Sequence, residues 1–128
     1  MDRPADIDRP ADIDLFISRV APSMNKWQRL HWTARKMIKD AWIKEIIVQR
    51  PRPLHTFQKF DLEVTRGYMR QPADLDNAVA SCKPVIDALI KAGIILDDNP
   101  DAMQSLRVKQ EKQRKADLGT RIRIWERE

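Results

Sequence analysis

Six aspartates fall between positions 74 and 101 of this 128-residue chain: Asp74, Asp76, Asp87, Asp97, Asp98 and Asp101. Carboxylates grouped in this way suit one kind of chemistry, the holding of a hard divalent cation. Asp74-Leu75-Asp76 has period two. In an extended segment both carboxylates then point the same way, and Leu75 points the other way into the core. Two bare carboxylates that close repel each other. Mg²⁺ removes the conflict, because it takes a few carboxylates plus water and substrate phosphate in an octahedral set. Asp97-Asp98 supplies the remaining ligand if the intervening helix returns the chain to the same end of the sheet. Each half also has a plainer reading. Asp76 can cap a helix through its side chain, and Asp-Asp-Asn-Pro can be an ordinary turn.

Lys83 lies seven residues after Asp76, two helical turns on, and Asp87 follows it at i+4. One reading is a surface ion pair worth under about 1 kcal/mol. The other is an ammonium beside a metal-bound phosphate, stabilising charge that develops in a transition state. Other metal chemistries fail on spacing. An EF-hand loop starting at Asp74 would place Ala78, Val79 and Val85 where an oxygen ligand, Gly and Glu are needed. One Cys and two scattered His do not make a tetrahedral zinc site. Three Gly, none suitably spaced, do not make a phosphate-cradling loop.

The elements that must position these residues follow from periodicity and breakers. Ile13 to Val20 is β-prone and reads as a strand. Ala21-Pro22-Ser23 breaks it, and Ser23 is placed to cap a helix. That helix spans about 26–49, with Trp27, Leu30, Ala34, Met37, Ile38, Ala41 and Ile46 on its apolar face. Arg50-Pro51-Arg52-Pro53 ends it. Thr56 to Arg66 reads as a second strand with a register irregularity near Lys59. A second helix spans about 76–92, kinked or divided by Pro84 and stopped by Gly93. Ile94 to Leu96 is a short apolar segment. Ala102 to Gln110 and Thr120 to Trp125 are two last strands, joined by the basic turn Lys112 to Gly119. The order strand, helix, strand, helix, strand, strand predicts a single α+β domain over 13–128, a mixed sheet with two helices packed on it. Residues 1–12, which carry most of a tandem DRPADI repeat, read as a flexible acidic tail.

Composition sets the partner class. Net charge is +5, but residues 1–14 hold five Asp against two Arg, so the rest of the chain is more basic still. A basic body suits a polyanionic partner, nucleic acid first. No run is apolar enough to span a membrane. The acidic start without an apolar h-region predicts no secretory leader. A lone Cys82 fits a reducing compartment and reads as a small buried residue. Trp27, Trp32, Trp42 and Trp125 read as core or interface residues before base-stacking platforms. His31 reads as a structural hydrogen-bonding residue before a DNA contact.

Taken in order, these residues resemble a family. Asp74-Leu75-Asp76-Asn77, then Lys83, Ile86-Asp87-Ala88-Leu89, Lys91-Ala92-Gly93 and Asp97-Asp98 look like the RusA family of Holliday junction resolvases. The first strand, Pro22-Ser23-Met24-Asn25 and the basic aromatic helix are similar to that family's opening. The resemblance covers about residues 13–126. It implies a homodimeric, Mg²⁺-dependent endodeoxyribonuclease of phages, prophages and bacteria, acting in the bacterial cytoplasm without a small-molecule cofactor. Such enzymes nick opposing strands of a four-way junction symmetrically, in DNA recombination and repair. Matched by position, Asp74 and Asp76 are the paired metal ligands and Asp98 the third. The family lysine sits four residues after the second Asp, where this chain has Ala80. Lys83 keeps the family spacing to Asp87-Ala88-Leu89 and takes the lysine's role. Lys26, Arg29, Arg35, Arg66 and Arg70 are the expected phosphate contacts, with Lys112, Arg114 and Lys115 as a second patch. Two rival readings stay open: a junction-binding protein of this fold without activity, and an interaction protein whose Asp cluster is structural.

Overall fold

Alternation of apolar and polar residues makes the first strand. In the computed structural model, which describes residues 9–128, β1 spans Ile13–Ile17. Ile13, Leu15 and Ile17 are buried, while Asp14 and Phe16 face the other way. The strand ends before Ser18, shorter than its β-prone run.

The helix expected over 26–49 is two helices, α1 (Met24–Arg29) and α2 (Trp32–Gln49). Ser23 caps the first, its hydroxyl accepting from the Lys26 amide at 3.5 Å. Leu30 then takes an extended conformation, and His31 Nδ1 accepts from the Thr33 amide at 3.2 Å to start the second. The Arg35 guanidinium donates to the Trp27 and Gln28 carbonyls, at 3.1 and 3.0 Å. It thereby supplies a donor to the last carbonyls of α1, of which Trp27's also accepts from the Leu30 amide at 3.1 Å. This bend re-aims the apolar face. Trp42 and Ile46 enter the core, and Met37, expected on that face, is 68% exposed.

β2 (Phe60–Tyr68) begins after an irregular approach: Phe57 makes a lone bridge to Ile95, and the ladder shifts between Phe60 and Asp61. The second expected helix is also two, α3 (Leu75–Ala80) and α4 (Lys83–Lys91). Pro84 falls in the first turn of α4, where its missing N–H costs no helical bond. Gly93 ends the element with φ +77°, a conformation that L side chains adopt at a cost. Gly93→Ala is therefore expected to lower stability by about 1–2 kcal/mol in urea denaturation, with Leu54 Cδ2 already 3.0 Å from the new methyl. β3 (Met103–Lys112) follows, then a 3₁₀ turn (Lys115–Asp117) and β4 (Thr120–Glu126).

The four strands form one mixed sheet in the order β1-β4-β2-β3. β2 and β3 are parallel, and the other pairs antiparallel. A parallel pair needs a crossover, and α3 and α4 provide it. The expected α+β architecture is thus the observed one, with each expected helix divided. The core lies on one face, where Leu62, Val64, Ile122 and Ile124 meet Trp42, Ile46, Val85, Ile86 and Leu89. No helix among the described residues is long and apolar enough to cross a membrane.

The other face of the sheet is ionic. Asp14, Arg123, Glu63 and Arg107 stand side by side across all four strands. Glu63 is buried yet ion-paired to Arg123 (3.2 Å), Lys109 (3.6 Å) and Arg107 (3.7 Å). Asp61 is buried too, and accepts from Ser105 Oγ and from Arg127 Nε at 2.7 Å. The first copy of the repeat lies outside the described residues. Residues 9–12, expected within the flexible tail, instead bind β4. The Asp12 amide donates to the Ile124 carbonyl, and the Trp125 indole N–H donates to the Arg9 carbonyl, both at 2.9 Å.

Candidate functional site

The crossover positions the acidic residues, though not as an extended pair. Asp74 is the N-cap residue of α3 (φ −57°, ψ 149°), and Leu75 and Asp76 already lie in the helix. An aspartate is a favoured N-cap residue, which starts the helix earlier than the apolar pattern alone suggests. Period two therefore does not apply, and Leu75 is 71% exposed rather than in the core. Asp76 sits in the first turn, where a negative charge is favoured by the helix dipole. Neither carboxylate is consumed by capping. Asp74 makes no side-chain cap bond. Among the described residues neither carboxylate accepts a hydrogen bond or forms an ion pair, and both residues are exposed.

What holds the chain before them is a residue that spacing does not reveal. The Gln110 side chain brackets the Ala73 backbone, accepting from its N–H and donating to its carbonyl, each at 2.8 Å. Gln110 belongs to β3, so the approach to α3 is fixed by a strand more than thirty residues away. A glutamine in a strand carries no local signal of such a contact.

Lys83 and Asp98 do meet. Lys83 Nζ lies 2.9 Å from Asp98 Oδ2 and 3.2 Å from Asp87 Oδ1. The Asp98 bond, then the Asp87 bond, raises the lysine pKa, and the same lysine holds the Asp98 carboxyl below its ordinary value. Asp97 Oδ1 accepts from the Asp98 amide at 2.7 Å and so shapes the turn. Asp98 thus faces the head of α4 rather than that of α3. Among the described residues no three His, Cys, Asp or Glu side chains gather closely enough to hold a metal. The donor chemistry of Asp74 and Asp76 suits a hard cation, but the expected three-carboxylate set with Asp98 is not assembled within this chain.

The expected phosphate contacts divide into two kinds. Lys26 and Arg29 are exposed on α1, which packs against α3. Arg70 is exposed just before the Ala73 clamp, and Lys112, Arg114 and Lys115 are exposed at the far end of β3. Arg66 and Arg35 are each anchored to backbone carbonyls. The Arg66 guanidinium donates to the Ala21 carbonyl at 3.1 and 3.4 Å, and its partial burial lowers its pKa. Arg35 spans the α1–α2 break, as described above. Strand and helix propensity place both residues but do not show which backbone carbonyls will be left open nearby.

Cys82, between α3 and α4, is buried, and burial pushes its thiol up to about 11. Thiolate is the reactive form. Iodoacetamide at pH 8 is expected to label native protein at least about a hundredfold more slowly than urea-unfolded protein, and mass spectrometry of the alkylated chain would check it. No family model and no curated protein matches this sequence.

Proposed function

We propose that this chain is a RusA-like, Mg²⁺-dependent endodeoxyribonuclease that works as a homodimer on four-way DNA junctions in the cytoplasm of a bacterial host. The observation that carries the reading is the pair Asp74 and Asp76. Both carboxylates are exposed and unspent, at the head of a helix whose approach is clamped and against which α1, with Lys26 and Arg29 exposed, packs. Asp74 and Asp76 would hold the cation, with water and a DNA phosphate completing its oxygen set. Bound Mg²⁺ supplies charge neutralisation at the scissile phosphodiester. Lys26, Arg29 and Arg70 grip flanking phosphates, a contact that is salt-sensitive and indifferent to sequence. Lys83 brings an ammonium that can stabilise the leaving oxygen once it exchanges Asp98 for substrate. A two-fold dimer presents two such sites to a nearly two-fold junction.

A second reading has its own support. Lys83 is engaged by two carboxylates, and Asp98 stands apart from Asp74 and Asp76. Both features suit a junction-binding protein without activity. Incubation of a labelled synthetic junction, and of linear duplex of the same sequence, with and without Mg²⁺ separates the two. Mg²⁺-dependent cutting of the junction supports the nuclease. Tight junction binding with no cutting at saturating Mg²⁺ supports the binding protein.

A further inference from the structure

A groove lies away from the acidic pair, between α2 and α4. It encloses about 510 Å³. Ile43, Pro84, Ala88 and Ile90 line it with apolar surface, Trp32 stands at the first residue of α2, and Arg35, Lys36, Lys39 and Lys91 supply cations. Trp32 is 68% exposed, whereas Trp42 and Trp125 are each 1% exposed. An indole left this open forgoes most of the stabilisation that burial brings.

The charges in the groove are unevenly compensated. Its two carboxylates are both engaged: Asp87 with Lys83 at 3.2 Å, and Asp40 with Lys36 at 4.0 Å. Among the described residues Arg35, Lys39 and Lys91 form no ion pair. Arg35 is held in place by two backbone carbonyls, so its guanidinium is already oriented. Lys39 Nζ lies 5.8 Å from the centre of the Trp27 ring. Trp32, Lys36, Lys39 and Ile43 recur at helical spacing on one side of α2, and Trp32 to Lys39 spans about 10 Å along the axis. That is the length of one to two nucleotide steps of an unpaired strand.

We infer that this groove binds unpaired DNA, with one base stacked on Trp32 and the adjoining phosphates on Arg35, Lys39 and Lys91. An aromatic face beside a cationic track is what strand binding without sequence preference requires. Duplex cannot offer a free base face to Trp32, so the groove selects strands with unstacked nucleotides. The inference shares with the proposed function only its nucleic-acid partner. It needs neither Mg²⁺ nor cleavage.

The test is fluorescence anisotropy of a labelled twelve-nucleotide single strand in EDTA, with intrinsic tryptophan emission read in parallel. Native protein is expected to bind with quenching. Trp32→Ala should weaken binding about tenfold or more, since stacking on an aromatic contributes roughly 1–3 kcal/mol per base. Trp32→Phe should recover part of the loss. Lys39→Ala should flatten the salt dependence, whose native slope is about −2 for three phosphate contacts to a single strand. Trp32 and Lys39 are exposed, so circular dichroism should show both variants folded. Equal affinity of Trp32→Ala and native protein overturns the inference, as does duplex binding with the same dependence on Trp32. Junction cleavage is assayed separately. If Trp32→Ala binds like native protein while junctions are still cut, the groove alone fails. If strands bind through Trp32 while junctions are neither bound nor cut, the nuclease reading alone fails.

Discussion

Asp76→Asn is expected to lower Mg²⁺-dependent junction cutting by roughly 10²–10³-fold, the usual cost of losing one preorganised electrostatic element at a reacting centre. The substitution keeps the side chain's shape and leaves Ser81 and Ala78 to close α3 as before. Folding should be nearly unchanged, because Asp76 is exposed and its only structural role is a favourable charge in a first turn, worth about 0.3–1 kcal/mol. Junction binding in EDTA should be as tight as in the native protein or tighter, since a negative charge near the phosphates is gone. Loss of cutting with binding retained would assign Asp76 to chemistry. Equal loss of both would assign it to DNA binding. Unchanged cutting would remove Asp76 from the site.

Glu63→Leu is expected to produce the largest loss of stability. The carboxylate is 4% exposed and is shared by Arg107, Lys109 and Arg123. Removing one partner of a buried ionic group leaves like charges facing each other without compensation, which costs about 3–5 kcal/mol in buried sites. Arg107 and Lys109 are 49% and 45% exposed and can turn to water, so the low end applies, about 3 kcal/mol. A domain of this size has about 5–15 kcal/mol in total. The expected fall in Tm is about 10 °C. Arg123 also covers the Trp125 ring, its guanidinium 4.8 Å from the ring centre. Its Nε is buried without a hydrogen-bond partner, a cost already present in the native protein. Adding Arg123→Leu to Glu63→Leu should therefore return part of the lost stability. A Tm unchanged by Glu63→Leu would show that the network on this face contributes little.

Local chemistry made much of this fold legible. Gly93 and Pro84 mark the ends of helices because backbone freedom and a missing donor act where the residue stands. Ser23 and the alternation in Ile13–Ile17 belong to the same class. The break at Leu30 and His31 was not legible, since it depends on Arg35 reaching back to α1 carbonyls. The reading of Asp74-Leu75-Asp76 as extended failed on competition. Period two and an N-cap both fit those residues, and the helix wins once Gln110 fixes Ala73. Asp61 and Glu63 carry no local signal as a pair, because burial of a carboxylate in a strand depends on what stands opposite. Arg107 and Arg123 come from strands paired with β2 only in the folded sheet. The candidate site divides the same way. The residue types were readable, as was the contact between Lys83 and Asp87, one helical turn apart. The side of the crossover on which Asp98 would emerge was not.

The most direct test of the nuclease reading maps the cuts themselves. A four-way junction, each strand end-labelled in turn, is incubated with native protein in Mg²⁺, and the product ends are read at nucleotide resolution. The account predicts two nicks at symmetric positions on opposing strands near the branch point. It also predicts none without Mg²⁺ and none in the matched linear duplex. An intact junction held in a stable complex at saturating Mg²⁺ would contradict it, and so would equal cutting of junction and duplex.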